Sequence, residues 1–103
     1  MKPTYQERIW QVIHAIPAGK VSTYGAVATM AGLPRQARAV GRCLSQLPGD
    51  SKIPWHRVIN AQGKISFPLE SERFCRQKNL LEEELIIFSN NRVNLKQFLW
   101  RPG

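Results

Sequence analysis

Ile53-Pro54-Trp55-His56-Arg57-Val58-Ile59, midway along a chain of 103 residues, concentrates the chemistry of this sequence in one place. Pro54 restricts the backbone ahead of three large functional side chains, so the stretch reads as a partly buried loop running into a strand. Downstream, the apolar positions and the glycine-containing turn Asn60-Ala61-Gln62-Gly63 lead into Lys64-Ile65-Ser66-Phe67. This predicts a short hairpin, or wing, closed by Pro68. Upstream, Pro48-Gly49-Asp50-Ser51 predicts a turn.

The residues before that turn have helical patterns. Thr4 followed by Glu7 forms a capping box, and Tyr5, Ile9, Val12, Ile13 and Ile16 recur at helical spacing, which gives a first helix ended by Pro17-Ala18-Gly19. Trp10 and His14 lie beside its stripe, at the edge of the core. Ser22 is a suitable N-cap for a second helix running to about Ala31, where Gly32 and Pro34 form a stop. A third helix is predicted from about Arg35 to Leu47. Two short helices joined through a glycine turn form a helix-turn-helix, a motif that a transcriptional regulator would also carry.

The third helix divides its faces. Ala37, Val40, Leu44 and Leu47 form the expected buried side, while Arg35, Arg38 and Arg42 fall opposite. Guanidinium groups so arranged address phosphate well, although an ordinary solvated helix face carries the same residue types. Ala39, Gly41 and Ser45 are small and allow the backbone to approach a surface closely. After the hairpin, a helix from about Glu70 to Glu84 places Phe74, Leu81 and Leu85 on one face. The tail alternates Val93 and Leu95 around an Asn90-Asn91 turn and ends in Phe98, Leu99 and Trp100, which dock on the core.

Composition sets the class. The chain is 43% hydrophobic and 21% charged, one globular domain, and 15 Lys and Arg against 7 Asp and Glu leave a net charge of +8. A small domain this basic points to nucleic acid as its partner. No apolar run is long enough for a signal peptide or a membrane span, which predicts a cytoplasmic protein with no membrane partner. Cys43 and Cys75 lack metal-site spacing and read as packing residues. No metal or cofactor is expected.

Pro54-Trp55-His56-Arg57-Val58 resembles the active-site motif Pro-Cys-His-Arg-Val of the O6-alkylguanine-DNA alkyltransferases, with tryptophan at the position of the nucleophilic cysteine. That replacement marks the alkyltransferase-like proteins. Val21-Ser22-Thr23-Tyr24-Gly25, Ala37-Arg38-Ala39-Val40-Gly41 and Leu80-Leu81-Glu82-Glu83-Glu84 match further family segments in the right order. The resemblance runs from about residue 4 to residue 100. It implies a mainly α fold with a short β-hairpin, winged helix-turn-helix-like, as in the C-terminal domain of the alkyltransferases.

The same resemblance implies a chemistry from which one part is missing. In the alkyltransferases a cysteine thiolate takes the alkyl group from guanine O6, helped by a histidine backed by a glutamate. His56 and Glu84 match that pair and are retained as structure, but an indole has no thiolate-like state. The expectation is therefore a non-enzymatic, monomeric sensor of O6-alkylguanine in duplex DNA that hands the site to nucleotide excision repair. Its DNA-binding residues are Ser22, Thr23, Tyr24, Arg35, Ala37, Arg38, Ala39, Gly41 and Arg42. Tyr24 would crowd the 3′ phosphate, and Arg38 would enter the stack from the minor groove in place of the flipped base. The lesion pocket would be lined by Tyr24, Leu44, Pro48, Pro54, Trp55, Val58, Ser66 and Phe67. Two departures stand out: Leu47 replaces an asparagine that braces the active-site loop, and Leu85 replaces the glycine after the glutamate. The rival readings are a sequence-specific helix-turn-helix regulator and a transferase using another cysteine.

Overall fold

The computed structural model describes residues 4–48 and 51–102. Helix α1 spans Tyr5–Ala15 and starts where the Thr4 hydroxyl accepts a hydrogen bond from the Glu7 amide at 3.1 Å. Ile9, Ile13 and Ile16 are fully buried from it. Tyr5, predicted in the same stripe, is 52% exposed, because the core begins one turn later at Ile9.

Strand β1 is Ser22–Thr23, and it pairs in parallel with β2, Val58–Ile59. The strand predicted at the centre of the sequence thus exists, but its partner is the segment that introduces the helix-turn-helix. On the other side of this short ladder the Val21 amide donates to the Phe98 carbonyl and the Trp100 amide to the Val21 carbonyl, which docks the tail. Pairing with Val58 takes Ser22 into the strand and buries it completely. The N-cap of α2 (Tyr24–Met30) is therefore Thr23, whose hydroxyl accepts from the Ala26 amide, and not Ser22.

Gly32, at a φ of +80°, closes α2: its amide donates to Thr29 and that of Leu33 to Ala28. The next helix, α3, is Ala37–Ser45, shorter than predicted. Arg35 has a φ of +67°, a left-handed conformation that cannot belong to a right-handed helix. It lies in the turn before α3. Ala39, Val40 and Cys43 are the buried residues of α3, packed with Val27 and Ala28 of α2 and with its C-cap Ala31. Leu44 and Leu47 are only half-buried. Both stripes contain Val40 and both keep helical spacing, so periodicity alone does not separate them.

The predicted hairpin at 58–67 is replaced by a turn without a second strand. The Asn60 side chain accepts from the Gln62 and Lys64 amides, the Asn60 amide donates to the Lys64 carbonyl at 3.0 Å, and the Gly63 carbonyl accepts from the Val93 amide at 2.8 Å, so the chain closes a turn and continues without a strand. The hairpin lies further on. Strands β3 (Phe88–Ser89) and β4 (Arg92–Val93) are antiparallel around Asn90 and Asn91, both with positive φ, as a tight two-residue turn requires.

Helix α4 runs over Glu72–Glu83 behind a Ser71 cap and buries Phe74, Gln77 and Leu81. Leu85, predicted on the same face, is 81% exposed, and Ile86 takes the buried place. Leu85 has a φ of +68°. Its amide donates to Glu82 and that of Ile86 to Leu81, the cap geometry that glycine normally provides. A side chain in this conformation costs about 1–2 kcal/mol, of which glycine's extra freedom in the unfolded chain offsets part. Leu85→Gly should therefore stabilise the chain by about 0.5–1 kcal/mol, read as a higher urea midpoint. The short α5, Leu95–Phe98, completes the second half of the core around Val21, Ile59, Phe74 and Leu81. Among the described residues no helix is long and apolar enough to cross a membrane.

Candidate functional site

A single carboxylate holds the central stretch. Trp55–Arg57 form one 3-10 turn, and Arg57 reaches Glu84, at the end of α4, through Nη2 to Oε2 at 2.7 Å and Nε to Oε1 at 3.0 Å. His56 Nε2 stands 2.8 Å from Glu84 Oε2 and donates to it while the carboxyl is ionised. The Gly19 amide approaches Oε1 at 3.3 Å, and Arg57 Nη1 donates to the Ile16 carbonyl at 2.8 Å. Burial, the largest single influence on Glu84, disfavours its charge. The hydrogen bonds from Arg57, His56 and Gly19, with the charge of His56, outweigh it and hold the carboxyl at about 2.

Gln77 secures the same turn from behind. Its Nε2 donates to the carbonyls of His56 and Val58, both at 3.0 Å, and the residue is 2% exposed. The His56–Glu84 pair is present as predicted, but sequence reasoning assigned no role to Arg57 or Gln77. Gln77 was detectable: it falls three residues after Phe74 and four before Leu81, a polar side chain at a core position that must find buried partners.

Beside this clamped turn lie two adjoining cavities of about 110 and 160 Å³. Leu44, Ser45, Trp55, Phe67 and Arg73 line both; Tyr24, Gly41, Val58 and Gln77 complete the inner one, and Leu47, Pro48 and Arg76 the outer. The rings of Trp55 and Phe67 meet edge to face, 6.4 Å between centroids. Of the predicted pocket residues, Tyr24, Leu44, Pro48, Trp55, Val58 and Phe67 border these cavities. Pro54 and Ser66 do not. Pro54 faces another cleft, with His14 and Lys52, which shares Trp55 and Arg76 with the outer cavity, and Ser66 is exposed where its neighbour Phe67 turns inward.

The expected DNA face is only partly assembled. Arg38 and Arg42 are exposed on α3, and Arg35 is exposed in the preceding turn. A side chain at Gly41 would meet nothing within 4 Å, so the helix surface there is open. Ala37, Thr23 and Tyr24 are half-buried. Ser22 and Ala39 are buried and present no surface: strand pairing takes the first, and packing of α3 on α2 takes the second.

Cys43 is buried as predicted, and burial pushes its thiol up against the lowering influence of Arg42. Cys75, predicted to pack, is exposed, since it lies on the side of α4 away from Phe74, Gln77 and Leu81. Neither thiol lines the two cavities, and no cluster of metal-ligating side chains occurs among the described residues.

Fold and site together define a basic helix-turn-helix domain with an aromatic-walled pocket beside its second helix. The model of the 6-O-methylguanine DNA methyltransferase DNA-binding domain matches residues 4–86, and the chain belongs to that family. It is 52% identical over 96 residues to a DNA base-flipping protein of Vibrio parahaemolyticus, covering 92% of this chain and 94% of that one. It is 39% identical over 103 residues to Alkyltransferase-like protein 1 of Schizosaccharomyces pombe, covering 95% of each. The crystal structure of S. pombe Atl1 with damaged DNA containing O6-carboxymethylguanine superposes with a TM-score of 0.89 at 37% identity, over 99% of this chain and all of that one. The Mycobacterium tuberculosis OGT in complex with DNA gives a TM-score of 0.69 at 36% identity. That match covers 82% of this chain and 51% of the larger protein.

Proposed function

We propose that this chain is a non-enzymatic sensor of O6-alkylguanine in duplex DNA. One observation carries the reading: the wall of the pocket, where the alkyltransferase motif has its nucleophile, is the indole of Trp55, and no thiol borders either cavity. The His56–Arg57–Glu84 cluster then serves to hold Trp55 in place. An apolar aromatic wall offers stacking to a base and its alkyl group, about 1–3 kcal/mol by comparison with base stacking elsewhere.

Arg38 supplies the finger that replaces the flipped base, and Tyr24, between the core residues of α1, α2 and α3 and the inner cavity, crowds the adjacent phosphate. The open surface at Gly41 supports a close approach of α3 to the minor groove. Alkylation at O6 weakens guanine pairing and so lowers the cost of extrusion, which is a few kcal/mol for a normal pair. Without turnover the output is a marked site, and the chain, a cytoplasmic monomer, passes it to nucleotide excision repair. Names and DNA complexes of the relatives support the lesion-binding part of this reading.

Intact-protein mass provides the test of the non-enzymatic claim. After incubation with DNA containing O6-methylguanine the mass should be unchanged. A methyl group gained on Cys43 or Cys75 would make the chain a transferase.

A further inference from the structure

We infer that the pocket favours O6 substituents carrying a negative charge, and that Arg73 and Arg76 make the selection; this rests on the base-pocket reading above. The inner cavity is bounded by Tyr24 and Val58, and the outer by Leu47 and Arg76, with Trp55 and Arg73 common to both. A base seated with its O6 group toward Trp55 keeps a methyl group near the inner cavity. A longer substituent continues into the outer one. There the apolar wall is interrupted by two guanidinium groups, and no carboxylate belongs to the lining.

Neither charge is paired with a carboxylate among the described residues. The ion pairs found are those of Glu84 with His56 and Arg57, and Glu72, one turn before Arg76, does not reach it. Arg73 lies over the Phe67 ring, 5.8 Å from its centroid. The Arg73 guanidinium makes no hydrogen bond among the described residues, so its N–H groups are available to an acceptor. Such a group matches a carboxylate through paired hydrogen bonds, which a neutral alkyl group cannot accept. In a partly enclosed cleft the attraction is also less screened than on an open surface.

The test is equilibrium binding at one salt concentration to duplexes carrying guanine, O6-methylguanine, O6-carbamoylmethylguanine or O6-carboxymethylguanine. The last two have nearly the same shape and differ in charge. Carboxymethyl should bind about tenfold or more tightly than carbamoylmethyl. In the Arg73→Gln/Arg76→Gln double variant that ratio should fall to within about twofold. Both residues are exposed, so the variant should fold, and its circular dichroism checks this. Equal or weaker carboxymethyl binding by the unmodified chain, with O6-methylguanine still preferred to guanine, overturns charge selection and leaves the base pocket standing. Equal binding of all four duplexes overturns both. A double variant that keeps the full charge preference overturns the assignment to these arginines.

Discussion

Replacing Glu84 by glutamine should lower folding stability by about 2–3 kcal/mol, because it leaves the Arg57 guanidinium partly buried without its counter-charge. The side chains involved retain 12–17% exposure, so solvent screens part of the interaction and the full cost of a buried unpaired charge is not reached. The effect is pH-dependent with a definite sign. The folded-state value of Glu84, about 2, lies below its ordinary 4.5, so its contribution is complete above about pH 4.5 and is lost as pH falls toward 2. Screening included, this contribution is on the order of 2 kcal/mol. Urea unfolding of the unmodified chain at pH 6 and pH 3 should show about half of that loss or a little more, superimposed on the titration of other carboxylates, and Glu84→Gln should show correspondingly less. Identical pH slopes in the two proteins would mean that the carboxylate does not hold the turn.

Arg38→Ala should weaken binding to an O6-methylguanine duplex by about 1–3 kcal/mol while leaving the unfolding midpoint nearly unchanged. The side chain is exposed, so binding is separated from folding. Tyr24→Ala is a less clean probe, since Tyr24 packs on the core residues of α1, α2 and α3 as well as lining the inner cavity. Arg42→Ala is the useful companion. A phosphate contact should weaken lesion and normal duplexes alike and reduce the salt slope, whereas loss of the stacking finger should fall most heavily on the lesion duplex. Equal losses on the two duplexes for Arg38→Ala would reduce that residue to one more phosphate contact.

The first helix and the helix-turn-helix were legible because their punctuation is local: Thr4 caps α1 and Gly32 closes α2 by interactions within a few residues. What escaped was set by partners distant in sequence. Ser22 and Thr23 are both competent caps, and pairing of Ser22 with Val58 decides between them. The central strand looked like half of a hairpin because its parallel partner lies at the far side of the helix-turn-helix. Arg35 and Leu85 occupy left-handed conformations that a non-glycine residue does not announce. In the site, Trp55, His56 and Glu84 were readable from motif chemistry. Arg73 and Arg76 were not, because their place at the outer cavity depends on how α4 crosses the Trp55 turn.

The central claim is most directly tested by equilibrium binding to two otherwise identical short duplexes, one with O6-methylguanine and one with guanine, at a fixed near-physiological salt concentration. A lesion sensor should prefer the modified duplex by about tenfold or more, equivalent to 1.4 kcal/mol. Equal affinity for the two would contradict it and leave a basic helix-turn-helix domain whose target must be sought in intact sequence.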